Sequence, residues 1–224
     1  MRIATLVAAI LLIAGCSHTF GGSHQSPTTA STTSTSGMPP TASSAARSAM
    51  PAGGTPMVDV IGWIEAGHAA DPEPYHSVSR DGVTTQVGKD IAFSVAAGAV
   101  ACVTDSKHAD NALACLVALQ NPPPSPATAY GEWKGGWVDF DGMSLQVGSA
   151  HADPGPFIDG NGPELANGDS LAFSDYRCRA GQDAVVCVNY AHQSAVRLGV
   201  NGVEPFGCLR SVPPPDGVGD AFAC

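Results

Sequence analysis

Six of the chain's seven cysteines lie between positions 102 and 224, in three neighbouring pairs: Cys102 with Cys115, Cys178 with Cys187, and Cys208 with Cys224. An even set in an exported chain reads as three disulfides. The count leaves the connectivity open, and pairing of neighbours is the simplest solution. Cys102–Cys115 and Cys178–Cys187 would each staple a hairpin, and Cys208–Cys224 would tie down the tail. A bridge closing a loop of this size contributes ~3 kcal/mol in the chain-entropy model. Zinc is the rival use of cysteine, but no Cys-x-x-Cys occurs and no His sits at finger spacing.

The residues around these cysteines read as short strands between turn clusters. Trp137-Val138-Asp139-Phe140, then Asp141-Gly142, then Met143-Ser144-Leu145-Gln146-Val147 is a hairpin signal, with Asp-Gly as a two-residue turn. Pairing Phe140 with Met143 puts Val138, Phe140, Met143, Leu145 and Val147 on a core face. Trp137, Asp139, Ser144 and Gln146 then share the polar face. Segments 99–104 and 113–119 should pair across a turn near 107–110, and both their faces are apolar, as inside a sandwich or closed barrel. Segments 176–180 and 184–190 should pair around 181–183, with 194–198 as a further strand. Helical periodicity is scarce, and 58–66 is the one short helix expected.

The amino terminus carries a different signal. Arg2 precedes an apolar run, 3–14, which is too short for a comfortable membrane span and fits an export signal. Ile13-Ala14-Gly15-Cys16 resembles the lipobox of bacterial lipoprotein signal peptides. That resemblance implies cleavage before Cys16, a diacylglyceryl group on its thiol, and acylation (palmitate) of the new amino terminus. Each buried methylene contributes ~0.8 kcal/mol, and two chains hold a protein firmly where one does not. Residues 16–57 are rich in Ser, Thr, Pro, Gly and Ala and contain no acid. Such a stretch cannot offset its ordering entropy and should be a disordered tether, with a reach of roughly 35 Å. The expected organisation is therefore signal peptide 1–15, lipidated Cys16 and tether to 57, and one β-rich domain over 58–224.

Charge narrows the partners. All 20 Asp and Glu fall between Asp59 and Asp220, against eight basic residues from Arg80 to Arg210. Nucleic acid and anionic lipid headgroups both need a basic patch, so neither is an expected partner.

An internal echo is visible. Gly88-Lys89-Asp90-Ile91-Ala92-Phe93-Ser94 precedes the first cysteine pair, and Gly168-Asp169-Ser170-Leu171-Ala172-Phe173-Ser174 precedes the second. A duplicated strand-plus-hairpin unit would explain both. The ordered pieces Phe93, Gly98, Cys102, Cys115, Pro122-Pro123-Pro124, Leu165, Gly168, Leu171, Cys178, Cys187 and Asn189 resemble a family of actinobacterial secreted proteins and lipoproteins of unknown function. The family's further cysteine pair is missing here, and Cys208 and Cys224 stand instead. The resemblance implies an envelope location and a β-rich fold, with no activity attached.

Several strings invite chemistry. Gly168-Asp169-Ser170-Leu171 matches the block of GDSL esterases, but it lies late in the chain and no Asp-x-x-His follows. A serine without its base is a weak nucleophile. Asp153, Asp159, Asn161, Glu164 and Asp169 could wrap Ca²⁺, although the Asp-x-Asp-x-Asp-Gly register is not met. His151 with Asp153, and His68 with Asp71, Glu73 and His76, are weaker metal candidates. Asp139 and Asp141 could act as a carboxylate pair, but the hairpin makes Asp141 a turn residue. Tyr130, Trp133 and Trp137 could form a platform for a sugar ring or peptide, with Trp137 the ring expected to be most exposed.

The sequence thus predicts an all-β, disulfide-stapled sandwich or barrel built from hairpins, open to pseudo-duplication and holding at most one or two short helices. The protein is expected at the extracytoplasmic face of the cell membrane, lipid-anchored, as a non-enzymatic binding or structural module. A cell-wall glycan or another envelope protein is the expected partner, and no cofactor or metal is expected. The alternatives are a secreted hydrolase and a Ca²⁺-stabilised domain.

Overall fold

The computed structural model describes residues 49–107, 112–151 and 154–224. Cys16 and the tether's greater part lie outside these residues, as do Asp153 and most of the turn expected near 107–110. Two sheets face each other. Sheet one runs in the order β1 (His68–Ala69), β9 (Asp169–Phe173), β10 (Tyr176–Ala180), β11 (Ala184–Asn189), β12 (Ser194–Gly199), β13 (Gly202–Phe206). Sheet two runs β14 (Arg210–Val212), β15 (Val218–Ala223), β8 (Ser144–His151), β7 (Glu132–Phe140), β6 (Leu113–Val117), β5 (Val100–Thr104), β4 (Ala92–Val95). The fold is an all-β sandwich, as expected, with β1 and β9 as a parallel pair.

Strict alternation along the strands gives each sheet an inner and an outer apolar face. Phe93, Val95, Val100, Leu113, Val138, Phe140, Leu145 and Val147 of sheet two meet Leu171, Tyr176, Val185, Val196 and Leu198 of sheet one in the central core. Two further clusters lie outside it. On sheet one, Val186, Val188, Ala195 and Phe206 are covered by Val60, Trp63 and Ile64 of the α-helix α1 (Met57–Glu65). On sheet two, Ala92, Ala101, Val103, Ala114 and Trp137 are covered by Val78 and Phe157. Val78 lies on a separate hairpin, β2 (Ser77–Arg80) with β3 (Val83–Gln86), and Phe157 on a 3-10 turn, Gly155–Phe157.

All three neighbouring bridges are present. Cys102 stands directly opposite Cys115 across β5–β6, and Cys178 opposite Cys187 across β10–β11. Cys208–Cys224 differs in kind, since it links the exit of β13 in sheet one to the end of β15 in sheet two. The echoed units are both three-strand meanders with a bridge across the second hairpin. Their registers differ by two residues: Phe93 pairs with Cys102, whereas Leu171 pairs with Cys178 and Phe173 with Tyr176. A two-residue offset keeps every side chain on its face.

The β7–β8 hairpin corrects one expectation. Phe140 pairs with Leu145, not Met143. The Asp141 carboxylate accepts the backbone N–H of Met143 at 2.7 Å and of Ser144 at 2.6 Å, plus the Ser144 hydroxyl at 2.8 Å, which widens the turn. Met143 therefore leaves the core face and is 49 % exposed. A hairpin absent from the sequence reading closes on Asp81-Gly82, both at positive φ (52° and 81°), with Arg80 paired to Val83. The folded body also begins before Val58. Met50 packs on the helix-side cluster, and the Pro51 carbonyl accepts Arg197 Nη1 at 3.4 Å.

Candidate functional site

The aromatic segment of β7 splits at a bulge. Its ladder to β8 pairs Glu132 with His151, Trp133 with Ala150 and Lys134 with Ser149, then resumes at Val138 with Val147. Gly135 and Gly136 occupy the break. A Cβ on Gly136 would lie 2.0 Å from the Val117 carbonyl oxygen, so the close approach of β6 requires glycine there. Trp133 is half-buried, lies against Pro123 and Gly148, and donates Nε1–H to the Pro123 carbonyl at 3.2 Å.

Trp137 reverses its expectation, at 3 % exposed. Its ring stacks on His151 with centroids 3.6 Å apart, meets Phe157 edge-on at 5.4 Å, and donates Nε1–H to Asp139 at 2.9 Å. The face read as polar is covered by the 3-10 turn and the β2–β3 hairpin. Tyr130 remains open at 97 % exposed. The three rings do not share a surface.

The other sequence candidates are dispersed. Ser170 is 3 % exposed inside sheet one, between Ala69 of β1 and Arg179 of β10, with Gly67 packed against its Cβ. Asp139 and Asp141 serve different neighbours. Burial raises the Asp139 carboxyl above its ordinary range, opposed by the Trp137 hydrogen bond and the His151 charge, while Asp141 is committed to its turn. Of the calcium candidates, Asp153 lies outside the described residues. Glu164 accepts the Ala97 N–H at 3.1 Å, and Asp169 sits 3.8 Å from His68 Nδ1. His76 Nδ1 donates to the Asp90 carbonyl at 2.8 Å, and Asp71 accepts the Glu73 N–H at 3.1 Å. Among the described residues, no three His, Cys, Asp or Glu side chains converge as a metal would need.

What sequence reasoning missed is a cleft of about 940 Å³ on the loop-covered side of sheet two. Three segments far apart in sequence form it: 86–90 after β3, 104–107 after β5, and 155–159 around the 3-10 turn. Its fixed point is the buried carboxylate of Asp90. One oxygen accepts Thr104 Oγ1–H at 3.0 Å and the Ser106 N–H at 2.9 Å, and the other accepts Ser106 Oγ–H at 3.0 Å. Thr104 Oγ1 in turn accepts the Ile91 N–H at 3.0 Å. The last residue of β5, the turn that follows it and the approach to β4 are thereby locked together. Val87, Pro156 and Ile158 give the cleft apolar walls, and Lys89 and Lys107, two of the chain's three lysines, stand on it beside Asp105 and Asp159. An apolar wall with a few convergent polar groups suits a small ligand. The Ser106 hydroxyl already gives its proton to Asp90, so it builds the floor. A smaller hollow of about 410 Å³ lies further along the same face, between Lys134, Trp137 and Asn161.

No family model, curated protein or solved structure matches this chain.

Proposed function

We propose that the protein is an extracytoplasmic binding module, held at the cell membrane by lipid on Cys16, that takes a small ligand in the Asp90 cleft without turning it over. The carrying observation is the cleft's construction: its buried carboxylate is spent on Thr104 and Ser106, leaving Lys89 and Lys107, with Asp105 and Asp159 beside them, and apolar walls as the groups that face a ligand. The volume falls within the range of small-molecule sites, roughly 300–1,000 Å³. Three disulfides favour an oxidising compartment, and Ile13-Ala14-Gly15-Cys16 favours lipid attachment there. A cell-wall fragment is the ligand chemistry most available at that location, since muropeptides combine carboxylates with sugar and alanyl groups.

The test uses full-length lipidated protein and a soluble muropeptide digest, with binding read as a rise in melting temperature. Wild type should be stabilised, and Lys89→Ala with Lys107→Ala should weaken binding ~10-fold or more, about the loss of one charge-assisted contact. Tyr130→Ala should bind as wild type. If Tyr130→Ala abolishes binding while the lysine variant retains it, the site lies on the aromatic loop instead. Release of a hydrolysed fragment would end the non-catalytic reading, and an unmodified Cys16 in mass spectra of native material would end the anchor.

A further inference from the structure

We propose that Cys208–Cys224 is a thiol-exchange site, the one bridge through which an extracytoplasmic dithiol protein can engage this molecule covalently while the other two stay closed. Disulfide exchange requires a thiolate to approach a sulfur, and its rate rises as the departing thiol becomes more acidic. The three bridges differ sharply in access. Cys102 and Cys115 are 1 % exposed and Cys178 and Cys187 are 0 % exposed, all in the core between the sheets. Cys208 is half-buried and Cys224 exposed.

A second observation is independent of access. The exposed Arg210 guanidinium is held on the backbone that flanks Cys208, because its Nη1 donates to the carbonyls of Gly207 and Leu209, both at 2.8 Å. These are the residues on either side of Cys208. Arg210 also pairs across β14–β15 with Ala223, the neighbour of Cys224. The loop that carries this arrangement is fixed: Gly207 is at φ 77°, and a Cβ there would lie 2.3 Å from the Gln193 carbonyl oxygen. A cation held next to a cysteine stabilises its thiolate. The two ends of the bridge are thus unequal, with Cys208 the better leaving group and Cys224 the sulfur to be attacked.

The exchange then runs in two balanced steps. One thiolate of the partner's Cys-x-x-Cys dithiol attacks Cys224 Sγ, a mixed disulfide forms, and Cys208 departs as a thiolate beside Arg210. The partner's second thiolate attacks its own sulfur in the mixed disulfide and releases Cys224, which takes up a proton. Two electrons pass to this protein and the partner's dithiol becomes a disulfide; the reverse sequence closes the bridge. The Gly142 carbonyl, 3.7 Å from Cys224 Sγ, is placed to accept the new S–H. Opening leaves the strands in place, since β15 remains paired to β8 over five positions and the Cys224 N–H is bonded to the Met143 carbonyl at 2.9 Å.

The experiment treats full-length native protein with graded dithiothreitol, blocks thiols with N-ethylmaleimide and maps the labelled peptides. Cys208 and Cys224 should label at least ~10-fold faster than the other four, which stay closed until the domain unfolds. A single-thiol probe, glutathione, should be found on Cys224. Arg210→Gln should slow opening ~3-fold or more with the oxidised melting temperature unchanged, and Arg210→Lys should restore the rate. Equal labelling of all six cysteines, glutathione on Cys208, or an Arg210→Gln variant that opens as fast as wild type would each overturn the assignment.

Discussion

The two outer faces of the sandwich are covered by different means, and the difference separates where the molecule is held together from where it can bind. On sheet one a single helix lays Val60, Trp63 and Ile64 over Val186, Val188, Ala195 and Phe206. Helical spacing returns a side chain to the same face every third or fourth residue, so a continuous stripe is filled. The seal is completed by Arg179, whose guanidinium lies 4.2 Å over the Trp63 ring and whose Nη1 donates to the Trp63 carbonyl. On sheet two the cover is a hairpin and a 3-10 turn, which deliver Val78 and Phe157, with the half-buried Val87 beside them, to a surface of alanines, Val103 and Trp137. Irregular cover leaves gaps, and both the Asp90 cleft and the hollow beside Trp137 lie on this face. A regular lid excludes solvent; a lid of loops makes a site.

The largest effect should come from breaking the regular lid. Trp63→Ala removes the widest ring of the helix face and should cost about 4 kcal/mol in urea denaturation, within the range for large aromatic truncations. The loss should be global, with cleft binding disappearing only as the domain unfolds. Phe157→Ala on the loop-covered face should cost less, about 3 kcal/mol, because loops collapse into a cavity more readily than a helix does. Its signature is different: muropeptide binding should fall under conditions where the domain is still folded. If Trp63→Ala impairs binding to folded protein, or Phe157→Ala leaves it untouched, the division of labour between the faces is wrong.

How much of this contrast the sequence carried depends on the range of the interaction. Two bridges were legible because each joins cysteines opposite each other in a hairpin, which are also close in sequence, and Cys208–Cys224, which links the two sheets, was left as the remaining pair. The strand faces were legible because Val138, Phe140, Leu145 and Val147 alternate with polar residues. The register was not. Asp141-Gly142 signals a two-residue turn, but its carboxylate captures two backbone N–H groups and widens the loop. The resulting slip of two positions keeps each strand side chain on its face, so the pattern contains no trace of it. The Asp81-Gly82 hairpin went the other way: its turn signal was strong, but apart from buried Val78 the strands around it are polar or exposed, and no apolar alternation drew attention to them. Trp137 misled because Asp139, Ser144 and Gln146 mark its face as wet, whereas Phe157, twenty residues away in sequence, covers it. Asp90 was legible only as part of an echo. Its meaning comes from Thr104 and Ser106 across the sheet and from a turn beyond residue 150, contacts that local patterning does not report.

The smallest effect tests how tightly the loop-covered face is closed. Asp139 lies there beneath Trp137, and burial raises its carboxyl above the ordinary value of 3.8. Over the interval between that value and the higher folded one, the folded state binds more protons than the unfolded state, so this group makes stability fall as pH rises. Above the folded value the penalty is present in full; below 3.8 it is absent. Asp139→Asn removes the charge and keeps an oxygen that can accept the Trp137 Nε1–H. The variant should therefore gain on wild type as pH is raised from 3 towards neutrality, by less than about 1 kcal/mol, with the two converging at the acid end. Urea midpoints at each pH measure the gap. A gap that is constant with pH would mean that water reaches Asp139 freely and that the turn at 155–157 covers Trp137 less completely than the helix covers sheet one. A gap that shrinks as pH rises would make the His151 charge, which opposes burial, the stronger influence on this carboxylate.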